Sequence, residues 1–85
     1  MLICTSSEFR KVFKKLPKYV RDKAKEKEII FRNNPFDIRL NTHKLHGKYQ
    51  DYWAFTVVKQ YRIMFVFAGS NVIDFVDIGT HKIYK

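Results

Sequence analysis

The second half of the chain holds the side chains whose types suit phosphate chemistry. In the run Tyr61-Arg62-Ile63-Met64-Phe65-Val66-Phe67, strand alternation sends Ile63, Phe65 and Phe67 one way and Arg62, Met64 and Val66 the other. Arg62 on the less apolar face is either an ordinary surface cation, paired with Asp74 or Asp77, or a guanidinium fork shaped to clamp a phosphate. His81 follows Gly79 and Thr80, so it belongs to a tight segment just past a strand end. There it is either a loop residue making one hydrogen bond or a group that gives and takes a proton near neutral pH. Tyr84, three residues on, either anchors the C-terminus or offers its ring and hydroxyl to a substrate. His43 and His46 flank Lys44, with Lys48 close behind; they read as solvated loop residues or as a basic rim that positions a phosphate backbone. Metal-independent RNA cleavage needs a base for the 2′-hydroxyl, an acid for the leaving oxygen and cations around the phosphorane. Histidine, lysine and arginine can supply all three.

These groups need a scaffold, and the apolar pattern outlines one. Met1-Leu2-Ile3-Cys4 suits an N-terminal strand. Thr5-Ser6-Ser7-Glu8 has the spacing of a capping box in which Thr5 and Glu8 satisfy each other's backbone amides. Phe9, Val12, Phe13 and Leu16 then form one helical stripe. Pro17 ends that helix or opens the next, which is predicted from about Lys18 to Arg32 with a stripe of Val20, Ala24 and Phe31 and a stop at Asn33-Asn34-Pro35. Residues 36–50 show no clear period and read as a connection. Tyr52–Val58, Tyr61–Phe67 and Val72–Ile78 are β-branched and aromatic runs separated by Lys59-Gln60 and Gly69-Ser70-Asn71. The expected architecture is α+β: a strand, an antiparallel two-helix hairpin, then a three-strand antiparallel meander completing a sheet whose other face stays open.

Composition narrows the classes of function. The chain has 85 residues, enough for one domain spanning 1–85, and concentrates eight Phe, five Tyr and one Trp. A domain of this size hides only about 60–65% of its unfolded surface, so its core must rely on large apolar side chains. Seventeen Lys+Arg against eight Asp+Glu give a formal charge of +9, which favours a polyanion as partner, with an acidic protein as the other reading. One cysteine and three histidines fall short of the spaced pairs of a structural zinc site, so no metal and no cofactor is expected. Neither a membrane span nor a secretory signal pattern is visible, and a soluble cytoplasmic protein is expected.

Lys44-Leu45-His46-Gly47, Tyr52-Trp53-Ala54-Phe55, Tyr61-Arg62-Ile63 and Asp77-Ile78-Gly79-Thr80-His81-Lys82-Ile83-Tyr84, in this order and spacing, resemble the RelE/ParE superfamily of bacterial and archaeal toxins. They are most similar to its RelE/StbE-type branch. The resemblance runs over nearly the whole chain and is most specific in the closing segment. It implies the toxin of a type II toxin–antitoxin pair that cleaves mRNA, often on the ribosome, by attack of the 2′-hydroxyl on the adjacent phosphate. A small antitoxin would neutralise it, and operator DNA would be met only through the antitoxin complex. Carried over by position, Arg62 would contact phosphate, His81 would act as general acid or base, and Tyr84 would match the terminal tyrosine of members that carry histidine. The strand lysines of RelE proper align with Trp53 and Phe55, which bear no charge. Lys44, His46 or Lys48 would then supply the missing cations, and Trp53 would either stack on a nucleobase, worth about 1–3 kcal/mol, or belong to the sheet core. Two other outcomes on the same fold are a ParE-like toxin that poisons DNA gyrase and a degenerate member that only binds antitoxin or RNA.

Overall fold

The computed structural model describes residues 1–80; His81 and Tyr84 lie outside the described residues. The elements run β1 (Leu2–Thr5), α1 (Ser7–Phe13), α2 (Lys18–Asn33), β2 (His43–Lys44), β3 (Trp53–Val58), β4 (Tyr61–Gly69) and β5 (Val72–Gly79). They build one five-stranded sheet in the order β1-β5-β4-β3-β2. The meander β3-β4-β5 is antiparallel, and β2 adds to it antiparallel at one edge. β1 pairs parallel to β5 at the other edge. The two helices between β1 and the meander make the long connection that a parallel pair requires. The α+β class stands.

The helix boundaries follow from how backbone donors are satisfied. Ser6, not Thr5, caps α1: its Oγ accepts from the Phe9 N–H at 2.9 Å and donates to the Val76 carbonyl at 2.8 Å. Thr5 is occupied as the last residue of β1, and the Ser6 N–H continues that pairing to Phe75 at 3.0 Å. One serine thus starts the helix and fastens it to β5. Pro17 opens α2, accepting from the Val20 and Arg21 N–H groups at 3.0 and 3.1 Å. The helix ends at Asn34, whose backbone is extended, as expected for a residue before proline.

Aromatic packing closes one face of the sheet. Phe31 from α2 is fully buried and meets Phe55, Phe65 and Phe75 at ring-centroid distances of 4.9, 5.0 and 5.5 Å. Phe9 from α1 reaches Phe75 at 5.6 Å. Val20, Ala24, Ile63 and Ile78 fill the space between. One helix side chain therefore bridges three strands, and its burial contributes about 2–3 kcal/mol before ring-pair terms.

The opposite face is not fully open. Leu45, Ala54 and Met64 form a second buried cluster, with Tyr49, Tyr52 and Val76 packed around it. The segment from Leu45 to Tyr52 folds back over the sheet, held by a Leu45 N–H to Tyr52 carbonyl bond of 3.0 Å. Its turn at Gly47–Tyr49 needs Gly47 at φ +66, a conformation that side-chain-bearing residues avoid. The stretch read as a plain connection thus carries a strand and a partial cover.

Candidate functional site

Strand register decides which groups share a face. Arg62 pairs with Thr56 on β3 and Gly79 on β5. Its neighbour Ile63 is buried against the helices, so the Arg62 row faces the other way. The next row on that face runs His43, Ala54, Met64 and Asp77 across four strands. From strand spacing and rise, Asp77 lies about 8 Å and His43 about 12 Å from Arg62 between Cα atoms. The Leu45–Tyr52 cover sits over Ala54 and Met64, so the Arg62 row runs along its margin.

His43 is oriented by the backbone. Its Nδ1 lies 2.9 Å from the Asn41 carbonyl, an oxygen that can only accept, so Nδ1 is the donor of that bond. Asn41 holds a left-handed conformation at φ 51, which asparagine tolerates better than most residues. Asp77 differs from an ordinary surface carboxylate. Burial pushes its pKa up and the nearby Glu8 charge adds to the rise, while a 2.8 Å bond from the Ile78 N–H opposes it.

The cations expected around Arg62 divide between the two faces. His46 and Lys48 are exposed on the covering segment, and the Lys48 Nζ stands 5.3 Å from the Tyr49 ring centre. They flank the Arg62 face. Lys44 pairs with Trp53, and Trp53 pairs with Phe65, so both Lys44 and Trp53 sit on the helix side of the sheet. The Lys44 Nζ lies 5.9 Å from the Trp53 ring centre. Lys44 therefore does not supply charge beside Arg62. Trp53 and Phe55, the positions aligned with the strand lysines of RelE proper, turn toward the helices by the two-residue period. Ala54 and Thr56 hold the outward positions on β3, and they too are uncharged.

No protein-family model and no curated protein matches the sequence. Solved structures do match the fold. A YoeB/ParE toxin from Agrobacterium tumefaciens aligns at a TM-score of 0.81 with 14% identity, over 95% of this chain and 99% of that one. YafQ from E. coli aligns at 0.78 with 21% identity, over 96% and 94%. A chain of the RelB-RelE antitoxin-toxin complex from Methanococcus jannaschii aligns at 0.74 with 24% identity, over 95% and 94%. The chain has the RelE/ParE toxin fold.

On this RelE/ParE scaffold the outward face can offer a guanidinium for a phosphate, an imidazole held through its Nδ1 and a partly desolvated carboxyl. Arg62 comes to that face from the expected set, His46 and Lys48 are exposed on the segment that covers part of it, and Lys44 and Trp53 lie on the helix side. His43, set aside as half of a basic rim, is brought onto the face by β2. The signal was its position two residues before Leu45: an apolar residue that packs inward over a sheet fixes the direction of its alternate neighbours. Among the described residues no group of three or more His, Cys, Asp or Glu side chains could hold a metal ion, and no helix is long and apolar enough to cross a membrane.

Proposed function

We propose that the chain is the toxin of a type II toxin–antitoxin pair, a metal-independent endoribonuclease that cuts mRNA on the ribosome in the cytoplasm. The observation that carries this reading is the placement of Arg62 and His43 on one outward face of a RelE/ParE fold in a chain of charge +9. Arg62 would grip the scissile phosphate and stabilise the phosphorane. A base takes the proton of the 2′-hydroxyl, the O2′–P bond forms and the P–O5′ bond breaks. The leaving oxygen takes a proton from an acid, giving a 2′,3′-cyclic phosphate and a 5′-hydroxyl end. His43 and the expected His81 are the two imidazoles for these transfers, and the expected Tyr84 would offer its ring or hydroxyl to the substrate. His46 and Lys48 would guide the flanking backbone. A RelB-RelE complex and a DinJ-YafQ toxin-antitoxin complex share the fold, which supports a cognate antitoxin as partner, with operator DNA reached only through that complex.

Primer extension on cellular mRNAs after induction tests the proposal. Wild-type protein should give discrete cuts that vanish when ribosomes are stalled before initiation. Arg62→Ala should weaken cutting about 100- to 1,000-fold, the loss typical of one transition-state charge contact. Intact RNA with inhibited DNA supercoiling would assign the chain to gyrase poisoning instead.

A further inference from the structure

The face turned away from Arg62 carries a feature the proposed chemistry does not use. Phe36, from the loop after α2, is 54% exposed, and Phe67, late in β4, is 43% exposed. Their rings stack at 6.1 Å with an interplanar angle of 18°. Trp53 meets both edge-on, at 5.5 and 5.6 Å, and is itself packed against the core. The Lys44 ammonium stands over the Trp53 ring. The carboxylate next to Phe36 in the chain, Asp37, is forked to Arg39 through two 2.9 Å bonds, so it presents little net negative charge.

We propose that Phe36, Trp53 and Phe67 form a stacking platform for an unpaired base of single-stranded RNA, with Lys44 meeting the adjoining phosphate. Half-exposed aromatic rings beside a lysine supply the two interactions single strands use, π-stacking and phosphate attraction. A second copy of the chain is disfavoured as occupant because two bodies of charge +9 repel. A protein segment anchored on these rings and on the 92% exposed Ile38 is the rival the test must exclude. The platform lies on the other face from Arg62, and Phe67 is about 17 Å along β4 from it. It is thus a separate subsite and not part of the cleavage centre. It rests on the proposed function only in naming RNA as the polymer.

Trp53 is the only tryptophan, so its fluorescence reports on the platform directly. Titration with a short oligo(U), and with oligo(dT), which lacks the 2′-hydroxyl and cannot be cut, should quench Trp53 saturably. Phe36→Ala and Phe67→Ala should each weaken that binding about tenfold, with circular dichroism confirming an unchanged fold. Lys44→Ala should reduce the salt slope of binding by about one. Arg62→Ala should keep the quench while losing cleavage, which separates failure of the platform from failure of the nuclease reading. Binding without quenching, or equal affinity in Phe36→Ala, would overturn the platform and favour a protein as its partner. Concentration-dependent dimerisation that Phe36→Ala abolishes would overturn it in favour of a second copy.

Discussion

The two faces of one sheet are built to different specifications from the same strands. Toward the helices, Phe31 locks against Phe55, Phe65 and Phe75, and Val20 and Ile78 fill the remaining space. On the other side the buried apolar cluster among the described residues is Leu45, Ala54 and Met64, and Arg62, His43 and Asp77 line the margin. Alternation lets adjacent residues serve opposite ends: Ile63 stabilises while Arg62 is free to be polar. The division also separates what mutations should do.

Phe31→Ala is expected to have the largest effect on stability. It removes the ring that bridges three strands and should cost about 3–5 kcal/mol, lowering Tm by roughly 15 °C or more for a domain of this size. Arg62→Ala, judged by the same melting curve, should cost about 1 kcal/mol, the centre of the range for single substitutions and well below Phe31→Ala, while losing activity. If the two variants melted alike, the faces would not divide stability from chemistry as described.

Leu45→Ala tests the thinner cover. A leucine at the edge of a small cluster should cost about 2 kcal/mol, at the low end of the range for such truncations. Because the same segment carries His46 and Lys48, cleavage should fall more than stability alone explains. A variant that loses stability but keeps full activity would show that the cover has no part in positioning substrate.

The thick face was legible in the sequence and the thin one was not, for a physical reason. Long periodic stripes, such as Phe9-Val12-Phe13-Leu16 or the alternation of β4, announce an element wherever they occur. β2 is two residues long, His43–Lys44, too short to show any period. It exists because the Leu45 cluster and the β3 edge hold it. Missing it hid His43 from the site and left Lys44 and Trp53 unassigned to a face. Sequence spacing alone also does not tell which of two alternate sets faces outward, and the structure turns Trp53 and Phe55 toward the helices. The capping box slipped by one residue because the β1–β5 pairing, a long-range contact, claimed Thr5.

The smallest expected effect concerns Asp77, among the described residues the one outward carboxyl whose pKa burial raises. A carboxyl with a folded-state pKa above its unfolded value holds a proton in the folded chain at pH values where the unfolded chain has released it. Folding is favoured on the acidic side, and that favour fades as pH rises through the folded value. As pH rises both states ionise, and the folded one bears the cost of a partly desolvated charge with Glu8 nearby. Asp77→Asn removes the charge and keeps an oxygen to accept from the Ile78 N–H, so it should melt slightly above wild type at pH 7. The two curves should converge as pH falls below the usual carboxylate range, where the aspartate is itself neutral. A lower Tm for the variant at pH 7 would mean that a cation on the outward face stabilises the Asp77 carboxylate. It would also mean that this face is organised by ion pairing more than the helix side, where neutral aromatic contacts suffice.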